Sequence, residues 1–579
     1  MINYQLTNLL LTGIVKPYGV DDDYGEALCT MELLNNQVTR EQGIHSPRSN
    51  NLSFGLYLMA ENINVPTTVL DFPSWRDFAR EIDSGKYSHV GISFIVPNVL
   101  KARRMAKYIR KNSPNTKIIL GGHGTAIPEL DELVDYDDIC HGEGVSWLRN
   151  YFGEDPNRPV KHPTLPTSVS AYIYGAPLLE KAGIIIPGVG CVNSCRFCAT
   201  SHKFEKKYTP FLKTGREIFE ACQKAEEDLR VGDFGLMDEN FCKNPARATQ
   251  LLVEMEKEKK AYTFATFSSA ETVQSMGVDF LVRLGVNFLW IGAESKANIF
   301  EKTRGIDIKK MISDLQNHGI TVLASFILFL EHHNKTTLHE DVDWAIDLDS
   351  DLMQFMQFTP VPGTRLFREY TEEGKLIQDF PWQKQHGQDT IFFRHPHFTA
   401  EESHVYLKEA FIKKYHTQGP GVLNMAWTAL KGYRTVKAEM EARQNERLAW
   451  DPTTLKYSPT SSGRSDEFMQ LRLEAMRQNA LKFRPVLNTT LKYAPNKATQ
   501  EKCRRLMVEL ERTFGPPSLK DRLLDRFVRV SAYFENRRIQ KKGQVMRQPP
   551  RLRTRYRTQG SQLSPSAAAP AKIAEESAA

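Results

Sequence analysis

A long run of alternating strands and helices constrains the fold of this chain more than any other feature of its sequence. Between residues 183 and 367, six β-branched and aromatic segments alternate with amphipathic segments. The predicted strands are GIIIP, DFGLMDE, YTFATFSS, NFLWIGAES, TVLASFILFL and LMQFMQFTPV. Six such units in succession predict a partial (β/α)6 barrel of the TIM type, whose reactive loops lie at the carboxyl ends of the strands.

A second, shorter alternating series precedes the barrel. TTVLDF, HVGISFIV and KIILGG are predicted buried strands, and the segments between them have the polar faces of crossover helices. We therefore expect an α/β chain that begins with a Rossmann-like domain over residues 1–160, followed by a linker over 161–182 and the barrel over 183–367. Residues 368–547 are expected to be mainly helical. Residues 548–579 are poor in apolar side chains and are expected to be disordered.

Composition narrows the class of protein. No stretch approaches the roughly 20 apolar residues needed to span a bilayer. Eight cysteines in 579 residues are too sparse for a disulfide framework, so we expect a cytoplasmic protein with free thiols. A net charge of +7 is small for this length and does not by itself argue for nucleic acid, which is not an expected partner.

The loop that follows the first barrel strand contains three closely spaced cysteines. In GVGCVNSCRFCATSHKF, Cys191, Cys195 and Cys198 have the spacing CxxxCxxC. Thiolates suit iron and sulfide, and three ligands leave one iron of a 4Fe-4S cluster without a protein ligand. Such an iron can bind S-adenosylmethionine and pass an electron to its sulfonium, which gives a 5′-deoxyadenosyl radical. The alternatives are a zinc knuckle or three incidental thiols.

The cysteine loop resembles the motif of the radical S-adenosylmethionine superfamily, including the aromatic Phe197 before the third cysteine. The resemblance implies that Cys191, Cys195 and Cys198 bind the cluster and that Phe197 packs near the adenine. MDENF and WIGAES stand where the superfamily has its acidic motif after the second strand and its fourth-strand motif. The residues that the resemblance then assigns to S-adenosylmethionine are Asp238, Glu239, Glu294 and Ser295.

The N-terminal region resembles the cobalamin-binding domain of many superfamily members, and FTPVPGTRLF resembles the closing segment of such members. Glycines after parallel strands allow backbone to approach a bulky ligand. The residues that the resemblance assigns to cobalamin are Ser93, Gly121, Gly122, His123, Gly124, Gly142, Glu143 and Gly144. No DxHxxG motif is present, so a histidine from that motif cannot be the lower cobalt ligand. The alternative is a Rossmann-like domain that binds no cofactor.

These features lead to one main hypothesis, a cobalamin-dependent radical methyltransferase that acts on an unactivated carbon. One alternative is a radical cyclase, carbon–carbon coupling enzyme or oxidoreductase without methyl transfer. An alternative of another class is a non-catalytic metal-binding regulatory protein. The expected partners are a small-molecule or lipid-like substrate and an electron donor such as flavodoxin or ferredoxin. The basic stretch from Arg537 to Arg557 also suggests peripheral contact with an anionic membrane.

Overall fold

The structure is a computed structural model that describes residues 7–14, 37–178, 181–297, 299–460, 466–542 and 554–558. It contains two large parallel sheets and a C-terminal helical region. None of the helices in these ranges is long and apolar enough to cross a membrane.

The N-terminal sheet is a six-stranded α/β sheet. Its strands, from edge to edge, are Thr554–Thr558, Thr67–Asp71, Leu9–Ile14, His89–Phe94, Lys117–Gly121 and Asp138–Ile139. Its longer helices are Phe54–Glu61, Trp75–Asp83, Val99–Asn112 and Gly144–Tyr151. The strands expected from the sequence are present, and the fold class is confirmed. Leu9–Ile14, which the sequence pattern did not single out, pairs in parallel with Thr67–Asp71 and His89–Phe94.

The structure places short strands in two segments for which the sequence pattern predicted none. The expected linker 161–182 contains the short strands Leu165–Pro166, Ser168–Ile173 and Ala176–Pro177. Ser168–Ile173 pairs antiparallel with Arg48–Asn51, so backbone hydrogen bonds order this segment. Within the tail expected to be disordered, Thr554–Thr558 pairs antiparallel with Thr67–Asp71, where an open sheet edge offers backbone partners. The rest of 548–579 lies outside the described residues.

The barrel sheet has the six parallel strands that the sequence predicts. In sheet order they are Leu352–Gln357, Thr321–Leu328, Val286–Glu294, Thr263–Ser268, Asp233–Leu236 and Gly183–Ile185. Leu165–Pro166 adds an antiparallel edge strand. The intervening helices include Gly215–Leu229, Pro245–Lys257, Ala270–Met276, Val278–Leu284, Ile308–Asn317 and Lys335–Asp347. Since the strands are parallel and consecutive, their carboxyl ends form one edge.

Local capping signals fix where the barrel helices begin. Thr214 accepts a hydrogen bond from the backbone of Glu217, and the two residues form a capping box. Asn334 caps the helix Lys335–Asp347 in the same way. These caps satisfy backbone donors that the first helical turn leaves unpaired. They also end the preceding loops, so the loops at the carboxyl edge have defined lengths.

The C-terminal region is mainly helical, as expected. Its helices are Arg365–Glu372, Ala400–Gln418, Gly421–Asn445, Glu467–Leu481, Arg484–Lys492, Lys497–Phe514 and Leu519–Lys542. A hairpin of Leu448–Asp451 and Lys456–Pro459 interrupts the series. Arg472 ties this region to the barrel, because its buried guanidinium donates to the backbone carbonyls of Tyr262 and Leu284.

Candidate functional site

A cavity of about 780 Å³ lies between the two sheets. One wall is the carboxyl edge of the barrel, including the cysteine loop. The other wall is the carboxyl edge of the N-terminal sheet, including its glycine-rich turns. The cavity therefore brings together two sets of residues that the sequence assigned to different cofactors. We call the two surfaces the barrel wall and the glycine wall.

The cysteine loop lies on the barrel wall and is held by its own backbone. Cys198 donates its backbone N–H to the carbonyl of Cys195 at 3.1 Å, and Ser201 Oγ donates to the carbonyl of Cys191 at 2.8 Å. All three cysteines line the cavity. Burial raises the pKa of the free Cys191 and Cys195 thiols. The loop thus presents three sulfur donors that are partly shielded from water.

The donor set fits an iron–sulfur cluster better than a single ion. Among the described residues, no three His, Cys, Asp or Glu side chains converge on one point as ligands of one ion would. A zinc knuckle requires four donors around a single metal. A 4Fe-4S cluster instead spreads its cysteine ligands over different irons. Cys191, Cys195 and Cys198 supply three thiolates from one loop, which is the chemistry of such a donor set.

Glu294 lies at a bulge at the end of its strand. The pairing register with the neighbouring strand shifts between Gly292 and Glu294, and Glu294 has a positive φ of 66°. A Cβ on Gly292 would lie 2.0 Å from the Glu294 carboxylate, so a larger side chain there would displace this carboxylate. The bulge directs the carboxylate towards Lys302, whose Nζ lies 2.5 Å from Glu294 Oε1.

Lys302 is the principal residue of the site that sequence reasoning missed. Burial alone would lower the pKa of Lys302, but the charge of Glu294 and the charges of Cys195 and Cys198 in their thiolate form raise it above its ordinary value. Lys302 therefore carries a positive charge beside the cysteine loop. It belongs to no recognised motif and is distant in sequence from the cysteines, so no sequence signal identified it.

The two acidic residues of MDENF have different environments. Asp238 is paired with Arg247 at 2.7 Å and accepts a hydrogen bond from the Tyr208 hydroxyl at 2.7 Å, so its charge is already neutralised within the barrel. Glu239 lines the cavity, and its Oε2 atom is buried without a hydrogen-bond partner. Burial raises the pKa of Glu239 to about 7. Glu239 is therefore the carboxylate with unused bonding capacity.

Two further residues that the sequence assigned to S-adenosylmethionine, Phe197 and Ser295, lie in different places. Phe197 lines the cavity and packs edge-on against Phe300 at 5.6 Å between ring centroids. Ser295 is buried behind the barrel wall, where its hydroxyl donates to Asp341 at 2.7 Å. The structure therefore brings Phe197 to the cavity and does not bring Ser295 there.

The glycine wall consists of the other predicted residues, all of which except Gly124 line the cavity. A Cβ on Gly124 would lie 2.2 Å from the Phe94 ring, so this glycine serves the packing of its own domain. Gly142 has a φ of 69° and open space around it. Glu143 accepts hydrogen bonds from the backbone of Val145 and Ser146 and caps the following helix. The Glu143 carboxylate of this wall is thus used internally.

Lys203 links the two walls. It follows the cysteine loop, and its Nζ donates to Thr125 Oγ1 at 2.9 Å and to the Cys140 carbonyl at 3.4 Å on the glycine wall. His123 lines the cavity beside it, and burial together with the Lys203 charge lowers the pKa of His123 to about 4. His123 is therefore a neutral imidazole at neutral pH.

The interior end of the barrel wall is apolar and aromatic. Phe267 and Trp290 are stacked with ring centroids 5.2 Å apart. Trp290 Nε1 donates to Ser325 Oγ at 2.5 Å, and Ser325 donates to Gln354 Oε1 at 2.7 Å. This end of the cavity therefore offers apolar surface with one short polar chain.

The fold has known counterparts among enzymes. It is similar to the radical S-adenosylmethionine methyltransferase TsrM from Kitasatospora setae, solved with cobalamin and a [4Fe-4S] cluster bound, with a TM-score of 0.50 and 14% identity over 82% of this chain and 99% of TsrM. This likeness shows that the two proteins share a fold. The predicted combination of a cobalamin-binding-type domain with the superfamily's barrel is confirmed at the level of fold.

Curated relatives of this chain are named as enzymes, although no family model matches the sequence. An uncharacterized methyltransferase from Pyrococcus horikoshii is 24% identical over 59% of this chain and 82% of the relative. A bacteriochlorophyllide d C-8(2)-methyltransferase from Chlorobaculum tepidum is 29% identical over 52% of this chain and 72% of the relative. An anaerobic magnesium-protoporphyrin IX monomethyl ester cyclase from Cereibacter sphaeroides is 25% identical over 53% of this chain, which spans 57% of the cyclase.

Proposed function

We propose that the protein is a cobalamin-dependent radical S-adenosylmethionine methyltransferase that adds a methyl group to an unactivated carbon. The observation that carries the proposal is the shared cavity, because it exposes the cysteine loop and the glycine wall to the same space. An enzyme that transfers a group between two cofactors and a substrate requires all three in one enclosure. Similarity to two methyltransferases supports the same reaction class.

The barrel wall would hold the cluster and S-adenosylmethionine. Cys191, Cys195 and Cys198 would ligate three irons, and Glu239 offers its unused carboxylate oxygen to the ammonium of the methionine moiety. Lys302 provides a positive charge for the methionine carboxylate, while Glu294 holds Lys302 in place. When bound, these groups together supply reductive cleavage of the sulfonium.

The glycine wall would hold the cobalamin. Gly142 has open space around it, and a Cβ on Gly121 would meet only Cys140, at 3.8 Å. Backbone without side chains at these positions leaves room for a flat macrocycle. His123 and Ser93 are polar residues of this edge that line the cavity. Their place in the cavity allows both to contact the cofactor, and we assign neither as a cobalt ligand.

The substrate we propose is a bulky apolar small molecule or a lipid-like compound. The stacked Phe267 and Trp290 provide a flat apolar surface. The chain from Trp290 through Ser325 to Gln354 provides polar atoms that orient one functional group. We further propose action in the cytoplasm with a flavodoxin or ferredoxin as the electron donor.

The decisive experiment uses anaerobically reconstituted protein with cobalamin, S-adenosylmethionine, a reductant and extracts of candidate lipids. Methylation adds one methylene unit to the product, consumes two molecules of S-adenosylmethionine, and yields one 5′-deoxyadenosine and one S-adenosylhomocysteine. Protein that binds no corrinoid would refute methyl transfer while leaving the radical chemistry intact.

A second candidate reaction is cyclisation or oxidation without methyl transfer, which the similarity to the anaerobic cyclase favours. In that case the product loses two hydrogens and no S-adenosylhomocysteine forms. The same product analysis separates the two reactions. If an intact cluster with reductant cleaves no S-adenosylmethionine, neither reaction stands and the regulatory alternative is favoured.

A further inference from the structure

The last described helix, Leu519–Lys542, exposes a continuous apolar stripe. The side chains of this stripe are 45–74% exposed, although they are large and apolar or aromatic. They are Leu519, Leu523, Phe527, Val530, Tyr533 and Phe534. Scattered exposed apolar residues are common, but six on one face of one helix form a patch that is unusual for a surface in contact only with water.

The opposite face holds the helix rigidly against the protein. Val528 and Ala532 are buried in a cluster with Leu487 and Tyr174. The helix packs along the helix Arg484–Lys492, and a Cβ on Gly175 would lie 3.0 Å from Glu535. The stripe therefore lies on a helix that is packed against the rest of the protein.

Acidic and basic side chains of this helix lie on different faces. The three acidic residues of the helix lie towards the protein: Asp525 contacts Asn488, Asp521 lies 4.0 Å from Arg484, and Glu535 pairs with Arg538. Among the side chains of this helix that the structure describes, the exposed charges are all positive. They are Lys520, Arg522, Arg526, Arg529, Arg537 and Lys541.

We infer that this face docks on an anionic membrane surface. An apolar stripe flanked by lysine and arginine is the pattern of helices that lie in the lipid interface, where aromatic rings enter the acyl boundary and basic groups meet anionic headgroups. A second copy of this chain would bring two positive faces together, which disfavours self-association. The inference is independent of the reaction proposed above. It would place a lipid-like substrate near the enzyme.

Vesicle flotation of the full-length protein tests the inference. Wild-type protein should bind vesicles of phosphatidylcholine and phosphatidylserine, and binding should weaken with salt and on pure phosphatidylcholine. The variant Phe527→Ser/Phe534→Ser should lose at least tenfold in partitioning. The matched control Val253→Ser/Val405→Ser removes two exposed apolar residues from other helices and should bind as the wild type does.

A charge pair gives a second, milder test. Arg522→Gln/Arg526→Gln should lower partitioning on the order of tenfold at low salt, because each basic group near such a surface contributes about one decade or less. Lys107→Gln/Lys111→Gln, with the same spacing on the basic helix Val99–Asn112, should have no effect. Unchanged circular dichroism and iron content show that each variant is folded.

Two results would overturn the inference. One is equal vesicle binding by the wild type and the Phe527→Ser/Phe534→Ser variant. The other is a protein that ignores anionic vesicles but forms a dimer, seen by sedimentation, that the same variant abolishes. The second result would assign the stripe to contact with another copy.

Discussion

The two walls of the central cavity present different groups to it: mainly side chains on one wall and mainly backbone on the other. The barrel wall projects cysteine, glutamate and lysine side chains from strand ends and a bulge, and Glu239 retains an unpaired carboxylate oxygen. The glycine wall offers backbone and open space, and polar groups such as Glu143 are used by its own helix. Under the proposed function, the barrel wall would act through its reactive side chains and the glycine wall through its shape. The predictions below test that division.

The largest expected effect is the loss of a cysteine from the barrel wall. Cys191→Ala should abolish the iron–sulfur absorbance and reduce 5′-deoxyadenosine formation to background, since a cluster with two cysteine ligands is not retained. Cys140→Ala removes a thiol from the opposite wall of the same cavity and should leave iron content unchanged. Equal iron content in the two variants would remove the chemical role assigned to the barrel wall.

The second largest effect should come from breaking the buried ion pair of the barrel wall. Lys302→Met leaves the Glu294 carboxylate buried without its partner and should lower the free energy of unfolding by about 3–5 kcal/mol. The double variant Lys302→Met/Glu294→Leu should recover much of that stability while S-adenosylmethionine binding stays weak. Urea titrations and ligand titrations of the three proteins measure both effects. Additive losses of stability would show that the pair is not coupled.

The pH dependence of the free energy of unfolding should reflect the raised pKa of Glu239. Its folded-state pKa is raised from 4.5 to about 7, so the folded chain binds this proton more tightly than the unfolded chain does. The stabilising contribution is complete below about pH 4.5 and is lost as pH rises through 7. In cluster-free protein, Glu239→Gln should therefore be more stable than the wild type at pH 8, by on the order of 2–3 kcal/mol. The difference should vanish near pH 4.5, and a gap independent of pH would assign it to another cause.

The smallest effects should come from two glycines that differ in what surrounds them. Gly124→Ala drives a methyl group into the Phe94 ring and should cost roughly 1–3 kcal/mol of stability. Gly121→Ala meets only an ordinary contact with Cys140 and should unfold as the wild type does. If the glycine wall acts through shape, Gly121→Ala should nevertheless bind cobalamin more weakly, as measured by corrinoid content after reconstitution. Normal corrinoid content would weaken that assignment.

Much of the fold could be predicted because local sequence patterns specify its strands and its cysteine loop. All six barrel strands have the apolar and β-branched runs that a covered parallel sheet requires, and the cysteine spacing lies within one loop. Leu9–Ile14 was missed because it precedes the alternating series and its place in the sheet depends on pairing with two later segments. Those segments are Thr67–Asp71 and His89–Phe94. The same limit applied to Thr554–Thr558, which forms a strand only because an edge is open to it.

The sequence alone determined the parallel architecture, the place of the cysteine loop at the carboxyl edge of the barrel, and the resemblance that these features carry. Tertiary structure decided which carboxylate is available, because Arg247 neutralises Asp238 while Glu239 has no such partner. It also brought Lys302 to the cysteines and displayed six apolar side chains on one helix face. Periodicity and spacing are local properties of a chain, whereas charge pairing and exposure depend on which distant segments pack together.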